Sequence, residues 1–254
     1  MSVAGAGPVT QLMILRRLHH DGITPAAVVL EYWPPFFRGG DGYREDGRLN
    51  PTRFRPEDEP TIDEFFADPA ETKRRTAASK WRPFLAHRKP LMDRFAPGWL
   101  PHTERGDAMF ARLDGWGWLP GRETSTAAER DKGWPHVLSY YWPLYRFYSV
   151  DATQDRALRA CLSHCERHGI AVVLACLPES ERFRTLKTAE SVRLADDHLA
   201  AVRRDTGVSL IDARDWVTDD ESLPDGFHLT RPAAADFTRR FAEELPIAAK
   251  PCRR

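Results

Sequence analysis

Three times along this chain a stretch with helical periodicity stops at a glycine and leads into a short apolar run. That repeat constrains the fold more than any other feature of the sequence. The first instance starts at Pro8, a residue suited to the first helical turn, with Val9, Leu12, Met13 and Leu18 forming an apolar stripe. Gly22 stands at the C-cap position and Pro25 follows, before Ala26-Ala27-Val28-Val29-Leu30-Glu31. The second runs from Gln154 to His168, stops at Gly169 and feeds Ile170 to Leu177. The third spans Thr188 to Asp205, stops near Gly207 and feeds Val208 to Asp212. A last helical stretch, Pro232 to Glu244, closes the chain. Apolar runs without polar alternation predict strands buried on both faces, as parallel sheets require. The repeat therefore predicts an α/β fold, a parallel sheet with right-handed crossovers and helices on both faces.

Between Trp33 and Val150 the texture changes. This stretch holds 21 of the 27 aromatic residues, with many prolines and no clear strand. Thr61 reads as the cap of a short helix through Phe66, and helical patterns resume around Glu71 to Phe95 and Val137 to Tyr148. Gly39 to Gly42 reads as an exposed loop. The predicted organisation is a core of residues 1–32 and 151–254 and a helical, aromatic-rich insertion, 33–150, over one end of the sheet. Two readings of the insertion stand. Either it is a lid or substrate cleft lined by Trp116, Trp118, Tyr140 and Tyr141, or its aromatics fill a core of its own.

Composition narrows the function classes. With 37 basic and 37 acidic residues the net charge is zero, which argues against a coat for nucleic acid or an anionic membrane. No run of ~18 apolar residues is present, so no membrane span is expected. The N-terminus lacks the basic start and apolar stretch of a signal peptide, which predicts a cytoplasmic protein for the chain as it stands. A periplasmic or secreted location follows instead if a further segment lies upstream of Met1. Cys161, Cys165, Cys176 and Cys252 lack the two-residue spacing of zinc or redox motifs and read as buried thiols. No cofactor and no metal is called for.

The sharpest chemical feature is Asp225-Gly226-Phe227-His228-Leu229-Thr230, between the last predicted strand and the last helix. A carboxylate and an imidazole three residues apart in a post-strand loop can meet. The carboxylate then fixes the tautomer while the other ring nitrogen takes a proton from a nucleophile. In open parallel sheets such loops lie where ligands bind.

With V-S-L-I-D-A-R-D-W before it and P-A-A-A-D-F-T-R-R-F-A-E-E-L after it, this segment resembles the C-terminal block of SGNH (GDSL-like) hydrolases. Gly5 to Leu12, G-A-G-P-V-T-Q-L, resembles that superfamily's glycine block. The resemblance spans roughly residues 5–32 and 154–246 and implies a flavodoxin-like, three-layer sheet. It implies His228 as general base, Asp225 as its orienting partner, and a Gly5 or Gly7 amide as oxyanion donor. It also implies hydrolysis or O-acyl transfer of a small-molecule or glycan acyl ester.

The departures are specific. No strand and no serine turn precede the glycine block, and L-E-Y-W-P-P stands where a Gly-x-Asn-Asp motif is expected, placing Glu31 near the Asn position. The N-terminal strands of such a core, which would lie beside the strand at 26–31, are missing. We therefore expect ~40–100 further coding residues upstream, a small-domain fraction. Ser2 and Ser180 are the serines weighed as nucleophile, and Glu179 and Arg182 as either substrate contacts or a surface pair. Asp212 and Asp215 read as capping or solvated. A non-catalytic binding or assembly protein on the same fold is the alternative class. Metal-assisted hydrolysis through Asp225, His228 and another carboxylate is a third reading, short of ligands.

Overall fold

The computed structural model describes residues 6–39, 45, 49, 51–81, 84, 87–100 and 123–248. In chain order its elements are α1 (Pro8–His20), β1 (Ala27–Glu31), α2 (Glu59–Phe65), α3 (Pro69–Trp81), α4 (Arg88–Phe95), α5 (Ala127–Arg146), α6 (Ala152–Arg167), β2 (Ala171–Cys176), α7 (Glu181–Arg184), α8 (Ala189–Thr206), β3 (Ser209–Asp212) and α9 (Arg231–Ala248). The fold is α/β, with a small parallel sheet in the order β1-β2-β3 flanked by helices. Among the described residues no helix is long and apolar enough to cross a membrane.

Each predicted helix–glycine–strand unit forms where the sequence places it. The Asp151 carboxylate starts α6 by accepting from the Thr153 and Gln154 amides at 2.8 and 3.0 Å. Thr188 and Ser191 cap α8 reciprocally. Gly207 ends α8 at φ 68°, a left-handed conformation that costs a residue with a Cβ. The register aligns Leu30 with Leu174 and Leu174 with Leu210 across the three strands. Leu158, Cys161 and Cys165 of α6 are fully buried, and α1 packs on that helix. Trp216 and Phe237, Phe241 and Leu245 of α9 pack on Val173, Ile211 and Ala213.

One strand departs from expectation. β2 is buried almost throughout, but β1 leaves Ala27 exposed and Val29 41% exposed. Among the described residues β1 pairs on one edge only, with β2, so its apolar run is not sandwiched as a central strand would be. Its C-terminal end is nevertheless pinned. The Tyr32 hydroxyl meets the Ala195 carbonyl at 2.9 Å and His198 Nδ1 at 2.8 Å, and His198 Nε2 meets Asp155 at 2.9 Å. This buried chain ties the exit of β1 to α8 and α6.

The described residues fall into two units, 6–39 with 123–248, and 45–100. The first includes 33–39 and 123–150, which composition assigns to the insertion. Its α5 starts ten residues before the predicted Val137, because Thr126 and Glu129 form a capping box. Pro135 and Pro143 sit inside α5 at exposed positions, where water can take over a lost backbone bond. In the second unit Phe54, Ile62, Phe65 and Phe66 are buried around α2. Thr61 does not cap α2; it lies inside that helix and is fully buried, while Asp58 precedes the first turn and accepts from the Arg55 amide at 2.7 Å. The predicted Glu71 to Phe95 helix is divided into α3 and α4.

Candidate functional site

The chemistry-bearing side chains of the sheet unit gather where the chain leaves the three strands. After β3 the loop runs to α9 and is stitched to the start of α7. The Ser180 amide donates to the Gly226 carbonyl at 2.8 Å, and the Glu181 amide to the Thr218 carbonyl at 2.9 Å. Gly226 takes φ 99°, and a Cβ there would lie 2.6 Å from Phe183 Cβ. Positive φ and close approach both require glycine. Gly226→Ala is expected to cost about 2 kcal/mol in urea denaturation and to broaden or shift the His228 imidazole resonances. An unchanged midpoint would show that the loop is not built around this contact.

That turn presents Asp225 and His228 to each other. Asp225 Oδ2 meets His228 Nδ1 at 2.6 Å, and Oδ1 accepts from the His228 and Phe227 amides at 2.9 and 3.3 Å. Burial pushes the Asp225 carboxyl up, but the hydrogen bond and charge of His228, with the two amides, outweigh it and hold it low. The Asp225 hydrogen bond raises His228, burial opposes, and the charges of Asp225 and Glu31 add to the rise. Among the described residues His228 Nε2 has no hydrogen-bond partner, and the side chain is 75% exposed against 39% for Asp225. A cleft of about 300 Å³ lies here, lined by Pro224, Asp225 and His228 from the loop and by Ser125, Glu129 and Arg130 around the start of α5.

Two further carboxyls stand nearby. Glu31, at the end of β1, is pushed up to about 7, chiefly by burial and further by Glu179, with His228 opposing. Glu179, three residues past β2, is buried with both oxygens engaged: one meets Lys187 Nζ, the other accepts from the Trp33 indole N–H at 3.2 Å. Trp33, Tyr141 and Phe227 form a ring cluster beside them, with centroids 5.5, 5.3 and 5.0 Å apart pairwise.

Several expected roles are redistributed. Ser180 is fully buried and caps α7, its Oγ accepting from the Phe183 amide at 3.2 Å, so it is not an accessible nucleophile. Burial pushes the Cys176 thiol up to about 12. Glu179 and Arg182 do not pair; Arg182 meets Asp131 at 2.7 Å and lies over Trp134. Glu179 is thus a buried carboxylate with each oxygen already hydrogen-bonded within the protein. Gly7 is buried at the N-cap of α1 and does not line the His228 cleft. Gly5, Ser2, Trp116, Trp118 and Cys252 lie outside the described residues. Cys161, Cys165 and Cys176 are free and buried. Tyr140 is exposed, whereas Tyr141 packs against Trp33, Phe183 and Phe227 of the sheet unit. Asp212 is clasped by Arg214, and Asp215 pairs with Arg184 at 2.7 Å. Among the described residues no third His, Cys or carboxylate joins Asp225 and His228 at ligating distance.

Lys187, Trp33, Ser125 and Arg130 are the residues that sequence reasoning missed here. None belongs to a local motif; only Ser125 carried a signal, its place just before the Thr126-x-x-Glu129 cap. A scan against protein-family models finds no match, and comparisons with curated proteins and with solved structures return no relative either.

Proposed function

We propose that this chain is an SGNH-like hydrolase or O-acyltransferase that acts on an acyl ester by serine chemistry, built on a flavodoxin-like, three-layer core. The observation that carries this reading is the Asp225–His228 pair, 2.6 Å apart in the loop between β3 and α9, with Nε2 left open. In the reaction His228 Nε2 takes the proton of a serine hydroxyl as its oxygen attacks the acyl carbonyl. Asp225 holds the ring through Nδ1 and stabilises the imidazolium. The tetrahedral oxyanion collapses, the alcohol leaves with the proton from His228, and an acyl-serine remains. Water then completes hydrolysis; a sugar or other alcohol hydroxyl completes transfer. The substrate class is a small-molecule or glycan acyl ester.

A second reading, a non-catalytic binding or assembly protein on this fold, draws on one observation: no serine hydroxyl among the described residues is hydrogen-bonded to His228. A fluorophosphonate serine probe separates the two. The wild-type chain is expected to label, and His228→Ala to slow labelling by a factor of about 10²–10⁴, the usual worth of a general base. A wild-type chain that never labels would favour the binding protein.

A further inference from the structure

Among the described residues a single hydroxyl-bearing side chain, Ser125, lines the cleft in front of His228. We propose that Ser125 is the nucleophile of the acyl-transfer reaction and that the Arg130 guanidinium stabilises the oxyanion formed on attack. This deepens the preceding functional reading and rests on it.

Elimination gives the first support. Ser180, the strand-exit serine, is fully buried and spent on capping α7, Thr230 is buried at the start of α9, and the Cys176 thiol is held protonated. Ser125 is half-buried and lines the same cleft as Asp225 and His228.

The chemistry around Ser125 is the second. Arg130 Nη1 donates to the Ser125 carbonyl at 2.7 Å and to Oγ at 3.3 Å, placing a full positive charge beside the hydroxyl. A neighbouring cation favours the alkoxide over the alcohol. Among the described residues no carboxylate pairs with Arg130, whose side-chain hydrogen bonds go to Ser125. The two acids that line the cleft are already engaged: Glu129 accepts from the Thr126 amide and hydroxyl at 2.9 and 3.0 Å, and Asp225 holds His228. Thr126 caps the 20-residue α5, so the positive end of that helix faces the same neighbourhood. Base, hydroxyl and cation thus share one cleft, the set that acyl transfer needs.

Without substrate Ser125 Oγ and His228 Nε2 are not hydrogen-bonded. Such bonds commonly close only when substrate is bound, and Oγ swings between staggered positions by one χ1 rotation. On attack the Ser125 O–H bond breaks, its proton goes to Nε2 and an Oγ–C bond forms. The carbonyl electron pair moves onto oxygen beside Arg130. Collapse breaks the ester C–O bond, and the departing alcohol takes the proton from His228. A water then gives its proton to His228 while its oxygen displaces Ser125 from the acyl carbon, and His228 passes that proton to the departing Ser125 oxygen, restoring the free hydroxyl and the neutral imidazole.

The test is phosphonylation of the full chain by a fluorophosphonate, followed by proteolysis and mass-spectrometric mapping, with thermal melts of every variant. The adduct is expected on the peptide containing Ser125. Ser125→Ala should melt like the wild type and lose labelling by about 10²-fold or more, and Arg130→Gln should slow labelling about tenfold or more without moving the adduct. An adduct on another residue that disappears in His228→Ala would overturn Ser125 while leaving the acyl-transfer reading intact. A wild-type chain that takes no adduct overturns both. A Ser125→Ala variant that melts like the wild type and labels at the wild-type rate also overturns it.

Discussion

Lys187→Met is expected to destabilise the fold by about 3–5 kcal/mol, the usual consequence of removing one partner from a buried ion pair. Lys187 Nζ contacts Glu179 Oε2 with side-chain exposures of 12% and 3%, so neither charge is solvated. The remaining donor to Glu179 is the Trp33 indole N–H at 3.2 Å, a neutral group that cannot replace an ammonium. Methionine matches the length of the lysine stem, which keeps cavity effects small and isolates the loss of charge. Replacing both partners, Glu179→Gln with Lys187→Met, should recover most of the loss, since a buried pair is far costlier to break than to exchange for neutral groups. Urea denaturation at pH 7 of the single and double variants provides the measurement. For a chain of this size the single variant should melt roughly 6–20 °C lower, at 2–4 °C per kcal/mol. A single variant within 1 kcal/mol of the wild type, by the ~1 kcal/mol ceiling for exposed pairs, would mean that the pair behaves as a surface one.

The same pair shows what the sequence could and could not convey. The three helix–glycine–strand units were legible because each signal is contiguous: a 3.6-residue period, a stop at Gly22, Gly169 or Gly207, and an apolar run directly after. The Asp225–His228 geometry was legible for the same reason, since the three-residue spacing and the intervening Gly226 fix the turn locally. Glu179 was not. Its partners lie 8 residues ahead and 146 residues back, and only the tertiary fold brings them to one carboxylate. Ser180 misled because a serine at a strand exit and a serine at an N-cap look alike in sequence; burial against the Gly226 turn decides between them. The early start of α5 is written locally in the Thr126-x-x-Glu129 capping box, while Pro135 inside the helix is a local break signal that the fold overrides. The exposure of β1 depends on which neighbours pair with it, and a strand's own residues do not state that.

Glu31→Gln is expected to raise stability, and to do so only at neutral and alkaline pH. An ionised carboxylate at this position repels an oxyanion, which is why the sequence offers no role for Glu31 as an oxyanion donor. The fold changes the premise, because burial at the end of β1 pushes the carboxyl from 4.5 up to about 7. A group whose folded value is raised binds its proton more tightly in the native state. Its stabilising contribution is complete below the ordinary carboxylate range and is lost as pH climbs through about 7. A rise from 4.5 to about 7 corresponds to about 3 kcal/mol between those limits. Glutamine keeps the shape and cannot ionise, so the variant should match the wild type near pH 4.5 and exceed it by about 3 kcal/mol at pH 8.5. The charges facing Glu31 predict the coupling as well. The His228 charge lowers its proton affinity and Glu179 raises it, so in a His228→Ala background the advantage of Glu31→Gln should grow over the pH range in which the wild-type imidazole carries its proton. Urea midpoints from pH 4.5 to 8.5 for the four chains of this cycle give both numbers. A difference that stays flat across that range would mean the carboxyl is solvated, and that nothing at the end of β1 opposes its ionisation. A difference that opens with pH would mean that the native fold holds a destabilising buried acid within electrostatic reach of its candidate base, an arrangement that disfavours stability and is characteristic of sites kept for chemistry.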